Sequence, residues 1–116
     1  NHCLIFNVSR YTYHGRNSGG HRIANHLRSQ NWDAEVVDFS YFWSFEELRL
    51  LAKSRVTKDT KFFGFSFIFS NWSNTLEDFC QWIKQEYPHI VMIYGAQQPS
   101  RLDTDIFDFY IFSKKK

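Results

Sequence analysis

Residues 61–94 read KFFGFSFIFSNWSNTLEDFCQWIKQEYPHIVMIY, and the hydrophobic spacing in this stretch changes twice. Lys61 to Ile68 is short and dense in aromatic side chains, with Phe62, Phe63, Phe65 and Phe67, as expected of a strand covered on both faces. Leu76, Phe79, Cys80, Ile83 and Tyr87 then recur at i, i+3, i+4 and i+7, which predicts a helix, and Asn74 followed three residues on by Glu77 marks its start. Pro88 ends that helix, and Ile90-Val91-Met92-Ile93-Tyr94 predicts the next strand, leaving at Gly95. Strand, helix and strand in this order form a crossover unit, the connection that parallel strands require.

The same alternation extends in both directions. Cys3-Leu4-Ile5-Phe6-Asn7-Val8 predicts a first strand, followed by a polar loop from Ser9 to Gly20 and a helix over Gly20 to Gln30 that carries Ile23, Ala24 and Leu27 on one side. Ala34 to Phe39 predicts a second strand. Ser44-Phe45-Glu46-Glu47 has the capping-box arrangement and opens a helix burying Phe45, Leu48, Leu51 and Ala52. After the quoted stretch, a short helix or turn around Arg101 to Ile106 leads into a last strand, Phe109-Tyr110-Ile111-Phe112. The expected fold is α/β: a doubly wound, mainly parallel five-stranded sheet in a three-layer sandwich, flavodoxin-like or Rossmann-like. One domain spans residues 1–113, and a lysine tail occupies 114–116.

With 116 residues the chain is long enough for one core and too short for two. The formal charge of +2 arises from 14 basic and 12 acidic residues, and three of the basic ones are Lys114, Lys115 and Lys116. The remainder is about neutral, which argues against a nucleic-acid partner held on a basic face. No apolar run approaches the roughly 18 to 20 residues of a membrane span, so no membrane partner is expected and the chain reads as soluble and cytoplasmic. Cys3 and Cys80 fall on predicted core positions and are expected to be reduced, buried and inert. The chain opens at Asn1 without a methionine and closes on lysines, as expected of a piece of a longer protein or a processed chain.

In doubly wound sheets ligands sit outside the carboxyl ends of the strands, near the point where strand order reverses. The loops leaving those ends are rich in polar and aromatic residues: Arg10, Tyr11, Tyr13, His14 and Arg16, then Tyr41, Phe42 and Trp43, then Ser70, Asn71 and Trp72. The familiar signatures are missing. Gly15, Gly19 and Gly20 do not make a GxGxxG dinucleotide fingerprint, and His21-Arg22 stands where a phosphate-cradling GxxxxGK[ST] loop needs lysine and a hydroxyl. A phospho-accepting receiver domain needs acids after the first strand and at the end of the third, where this chain has Asn7 and Ser66 to Ser70. His21 and His26, about 140° apart around a helix, do not chelate one metal together and read as surface histidines. His89 lies at the opposite end of the sheet, and His14 alone falls in a carboxyl-edge loop. No triad, carboxylate pair or Cys/His nucleophile is visible, so no catalytic residue is assigned. The aromatic run Phe39 to Phe45 reads either as a packed loop or as a face covering a ligand or partner domain.

Two strand ends carry a resemblance. Gly64-Phe65-Ser66-Phe67-Ile68 resembles the VGLSxL strand of cobalamin-binding domains, and Val91-Met92-Ile93-Tyr94-Gly95-Ala96 resembles that family's VxxGG strand exit. The helix from Gly19 to Arg28, running on to Glu35-Val36-Val37-Asp38, is similar to the family's first helix and second strand. The likeness covers Cys3 to Phe112 and is closest to the cobalamin-binding domains that precede a radical S-adenosylmethionine barrel. It implies a corrinoid held at the carboxyl edge, with its nucleotide tail against Ser66 and Ile68. Ser66, Gly95 and Ala96 would give the tail room, Ser66, Ser70 and Asn71 would donate hydrogen bonds to it, and His14 would stand in the adjoining loop. No metal ligand is implied: the family's DxHxxG motif is absent, and when the chain is aligned on Gly19 its histidine position holds Arg16, with His14 two residues early. Gly95-Ala96 stands for Gly-Gly, Ile68 for leucine, and Asp108 to Ser113 lacks the GEGE segment.

The resemblance thus implies a cobalamin module of a larger radical S-adenosylmethionine enzyme. The iron–sulfur cluster and S-adenosylmethionine would belong to an adjacent catalytic domain, because no CxxxCxxC motif lies in this chain. Two alternatives stand beside it: a non-catalytic interaction domain that keeps the fold without the cofactor, and a flavin or nucleotide site built from the Ser9 to Gly20 loop.

Overall fold

A computed structural model describes residues 1–8, 19–38, 43–67, 73–96 and 106–112. Its elements follow in the order β1 (His2–Val8), α1 (Gly19–Ser29), β2 (Asp33–Val37), α2 (Phe45–Arg55), β3 (Thr60–Phe67), α3 (Asn74–Glu86), β4 (Val91–Ala96) and β5 (Phe109–Phe112). The strands form one sheet of order β2-β1-β3-β4-β5, and every neighbouring pair is parallel. This is the doubly wound, flavodoxin-like α/β architecture, with its switch point between β1 and β3. The expected turn or helix around Arg101 to Ile106 lies largely outside the described residues.

The helix ends show local chemistry at work. Ser44 caps α2, its hydroxyl accepting from the Glu47 backbone N–H while the Glu47 carboxylate accepts from the Ser44 N–H, so both halves of the expected capping box form. At α3 the cap falls one residue earlier than the Asn74 the spacing suggested. Ser73, in extended backbone, accepts from the Leu76 N–H, and Asn74 becomes the first helical residue. The α1 helix stops because Asn31 takes a left-handed φ of 68°, which lets the Asn31 and Trp32 N–H groups close back onto Arg28 and Leu27 carbonyls. The Arg28 guanidinium then donates to the Ala34 carbonyl, tying the end of α1 to β2.

The two faces of the sheet are packed unequally. Leu4, Phe6, Val8, Phe63, Phe65, Met92 and Tyr94 point toward α2 and α3, where Leu48, Ala52, Leu76, Phe79, Cys80 and Ile83 meet them in the main core. Phe6 stacks on Phe65 at 4.9 Å and meets the ring of Phe79 at 5.5 Å. On the other face α1 covers a smaller cluster of Cys3, Ile5, Ala24 and Ala34, flanked by Leu27, Trp32, Val36 and Phe62. The two thiols belong to opposite faces and are both unbridged and buried. Burial pushes Cys3 up to about 11 and Cys80 well above the ordinary thiol range, so both are protonated near neutral pH. Among the described residues no helix is long and apolar enough to cross a membrane.

Candidate functional site

At the carboxyl edge, three elements converge on one carboxylate. Asp38, directly after β2, accepts from Asn7 Nδ2 of β1 at 2.9 Å. The same carboxylate receives His21 Nε2, from the first turn of α1, at 2.9 and 2.8 Å to its two oxygens. His21 is therefore an oriented histidine, not the plain surface residue its helical spacing suggested. The carboxylate belongs to another element, so no spacing within α1 could reveal the pair. Nothing else among the described residues joins it as a metal ligand: no group of three or more His, Cys, Asp or Glu gathers there.

Beside this polar edge runs an apolar groove of about 180 Å³ between α1 and the sheet. Ile5, Gly64, Ile93 and Phe109 lie in one register row across β1, β3, β4 and β5. The next row toward the carboxyl edge is Asn7, Ser66 and Gly95. Gly64, Ser66 and Gly95 thus form a low floor, with Ile5, Phe62, Ile93 and the α1 residues Ile23 and Leu27 as walls. A methyl group on Gly64 would meet Phe62 at 3.5 Å and Ile5 at 3.8 Å, ordinary contacts, so the glycine leaves space without being forced by a clash. Ile23, 47% exposed, and Phe109, 59% exposed, carry the apolar surface beyond the groove.

Of the residues the sequence nominated, the structure brings Ser66 and Gly95 together as cross-strand partners. Ala96 pairs in the ladder with Phe67 and Phe112. The expectation that Gly95 ends the fourth strand is corrected: β4 runs through Gly95 to Ala96 because β3 and β5 supply partners on both sides there. His14, Ile68, Ser70 and Asn71 lie outside the described residues. Gly64 and the α1 wall, Ile23 and Leu27, were not singled out for binding. Their signal was present in the apolar spacing of the first helix, but the strand they face was unknown.

A second polar cluster lies at the amino edge. His2, 4% exposed, sits 2.6 Å from Thr60 Oγ1 through Nδ1 and 2.6 Å from Glu35 through Nε2. The Thr57 N–H donates to the same Thr60 hydroxyl, and Arg55 approaches the other Glu35 oxygen at 3.4 Å. The hydroxyl–imidazole–carboxylate order is that of a nucleophilic relay, but Thr60 is 1% exposed and is not part of the lining of the groove beneath α1. The cluster satisfies buried polar groups and pins β1, β2 and β3 at their starts.

These features define a doubly wound α/β domain with an apolar groove on the α1 face of its sheet. No protein-family model matches the chain, and no curated protein sequence does. Among solved structures it is similar to the response regulator TrrA of Thermotoga maritima in complex with Mg²⁺-BeF, at a TM-score of 0.59 and 10% identity, covering 97% of this chain and 86% of that one. It is also similar to an orphan response regulator of H. pylori, at a TM-score of 0.57 and 16% identity, covering 98% and 85%. At these identities the likeness concerns the fold.

Proposed function

We propose that this chain is a cobalamin-binding module that holds the nucleotide tail of a corrinoid in the groove beneath α1, as part of a larger radical S-adenosylmethionine enzyme in a cytoplasmic setting. The observation that carries this reading is the floor of small residues, Gly64, Ser66 and Gly95, set between apolar walls on the α1 face and running toward the carboxyl edge. The residues fit the group in chemistry. A planar aromatic base needs a slot free of large side chains, and the ribose and phosphate that follow it need polar partners. The slot is lined by Ile5, Ile23, Leu27, Phe62 and Ile93, and Ser66 is the hydroxyl-bearing residue among its described lining.

In this role Ser66 and Gly95 hold the tail against the sheet, while His21, Asp38 and Asn7 keep the start of α1 joined to β1 and β2 and so keep the groove at a constant width. The corrinoid, when bound, supplies methyl-transfer or radical chemistry, and this chain contributes binding and orientation. An iron–sulfur cluster and S-adenosylmethionine would belong to an adjacent catalytic domain.

Mixing the purified chain with hydroxocobalamin, desalting it and recording the visible spectrum tests the reading. Corrin absorption retained near one equivalent per chain is the expected result. A bare protein spectrum from a folded sample would instead favour an interaction domain that has kept the fold alone.

A further inference from the structure

We infer that two copies of this chain associate weakly about a two-fold axis through the outer edge of β5, joining their sheets into one. β2 and β5 are the edge strands, and the two differ in chemistry. β2 reads Asp33-Ala34-Glu35-Val36-Val37, with two acids and no base, so pairing it with a second copy of itself sets like charges together. The Asp33 N–H donates inward to the Asn1 carbonyl, which turns the Ala34 carbonyl outward, and there the Arg28 guanidinium donates to it at 3.1 and 2.7 Å. β5 reads Phe109-Tyr110-Ile111-Phe112, without a charge or a proline. Among the described strands only β4 pairs with it, and Phe109 is 59% exposed. An edge of this composition presents its outer N–H and C=O groups to any second strand.

The charges flanking β5 select a second copy of this chain as that strand. Asp108 precedes β5 and is exposed; its N–H donates to the Met92 carbonyl and its Oδ2 accepts from the Met92 N–H, both at 2.8 Å, which fixes it at the start of the strand. Lys114, Lys115 and Lys116 follow β5 in the chain. The order acid, apolar strand, base is complementary to itself when two copies run antiparallel. A two-fold axis perpendicular to the sheet keeps equivalent faces on the same side, so each residue pairs with one of the same parity. With the axis at Ile111, that residue meets its own equivalent, Phe109 meets Ser113, Tyr110 meets Phe112 and Asp108 meets Lys114. The last two are favourable cross-strand combinations, aromatic with aromatic and acid with base. An axis at Tyr110 would set Asp108 against Phe112 and Lys114 against Ile106, and the charge match would be lost.

Sedimentation equilibrium of the full chain tests this apart from the cobalamin reading, because no β5 residue is among the groove's described lining. A short strand edge is a small contact, so monomer should pass to dimer with a dissociation constant on the order of 10–100 µM, in a concentration series that brackets that range. Lys114→Glu, outside β5, turns both acid–base pairs into repulsions and should weaken association by about ten-fold, and raised salt should weaken the parent dimer. Ile111→Cys should be trapped as a disulfide-linked dimer under mild oxidation, because residues on the axis face each other within the Cα distance a disulfide spans. Cys3 and Cys80 are buried and do not compete. Ser113→Cys should not be trapped, since the two copies of that residue would stand about 13 Å apart along the strands. A chain that stays monomeric throughout the series would overturn the proposal. So would a dimer that Lys114→Glu leaves unweakened, or one trapped through Ser113→Cys and not through Ile111→Cys, since either places the contact elsewhere.

Discussion

The two faces of the sheet solve opposite problems. On the α2 and α3 face, Phe6, Phe63, Phe65 and Phe79 form a contiguous aromatic core with ring centroids 4.9 to 6.5 Å apart, and all four are essentially buried. On the α1 face the row Ile5, Gly64, Ile93 and Phe109 meets one helix among the described elements, and the space beside it is a groove. Close packing provides stability, because every missing atom forfeits contacts that water cannot replace. An open apolar slot contributes less to stability and offers binding surface instead. The division of labour follows from alternation along β1: Leu4, Phe6 and Val8 join the main core, and Cys3 and Ile5 join the cluster under α1.

The sharpest way to break this contrast is to delete a large side chain from each face. Phe79→Ala should cost about 3–5 kcal/mol in urea unfolding, since the ring is fully buried among aromatic neighbours. Ile23→Ala, at the mouth of the groove, should stay within about 0.5 kcal/mol of the parent. Similar losses at both positions would mean that the α1 face is packed as tightly as the other.

A smaller effect is expected at the amino edge. His2→Ala withdraws one partner from both the Thr60 hydroxyl and the Glu35 carboxylate, and should destabilise by about 1–3 kcal/mol. The corrin-binding titration should be unmoved, because none of His2, Thr60 and Glu35 lines the groove.

The least change in magnitude is the most informative in sign. Gly64→Ala should raise stability by about 0.4–1 kcal/mol, because the added methyl makes ordinary contacts at 3.5 and 3.8 Å and the unfolded chain loses freedom. Ala52→Val, which enlarges a fully buried residue on the packed face, should destabilise by about 1–3 kcal/mol. Opposite signs in thermal or urea unfolding would sharpen the contrast between an open and a filled face, and a loss at Gly64 would deny that space remains there.

Much of the fold is legible in the residues because the signals are local. Ser44 and Glu47 satisfy each other's backbone donors whatever else the chain does. The α3 pattern is legible because Leu76, Phe79, Cys80 and Ile83 must share one side of any helix, and all four are buried. The cap of α3 was misplaced by one residue because Ser73 and Asn74 are both good caps, and backbone geometry chose between them. The continuation of β4 through Gly95 was hidden, since glycine alone suggests a strand exit and only strands on either side hold it in the ladder.

For the candidate site the division is more pronounced. Ser66 and Gly95 were legible as small residues near strand ends, yet their pairing depends on β3 and β4 being neighbours in register. The His21–Asp38–Asn7 cluster draws on α1, β2 and β1, and no spacing within one element encodes it.

The amino-acid order by itself determined the alternation of strands and helices, the parallel crossovers, and the residues that must be buried, because hydrophobic period and capping act within a few residues of chain. Tertiary structure alone decided which strands became neighbours, and therefore which small residues formed a floor, which helix walled it, and which carboxylate met His21. Those outcomes join positions from 17 residues apart, as in His21 and Asp38, to 59, as in Ile5 and Gly64, and only the register of the assembled sheet and the docking of α1 bring them within contact distance.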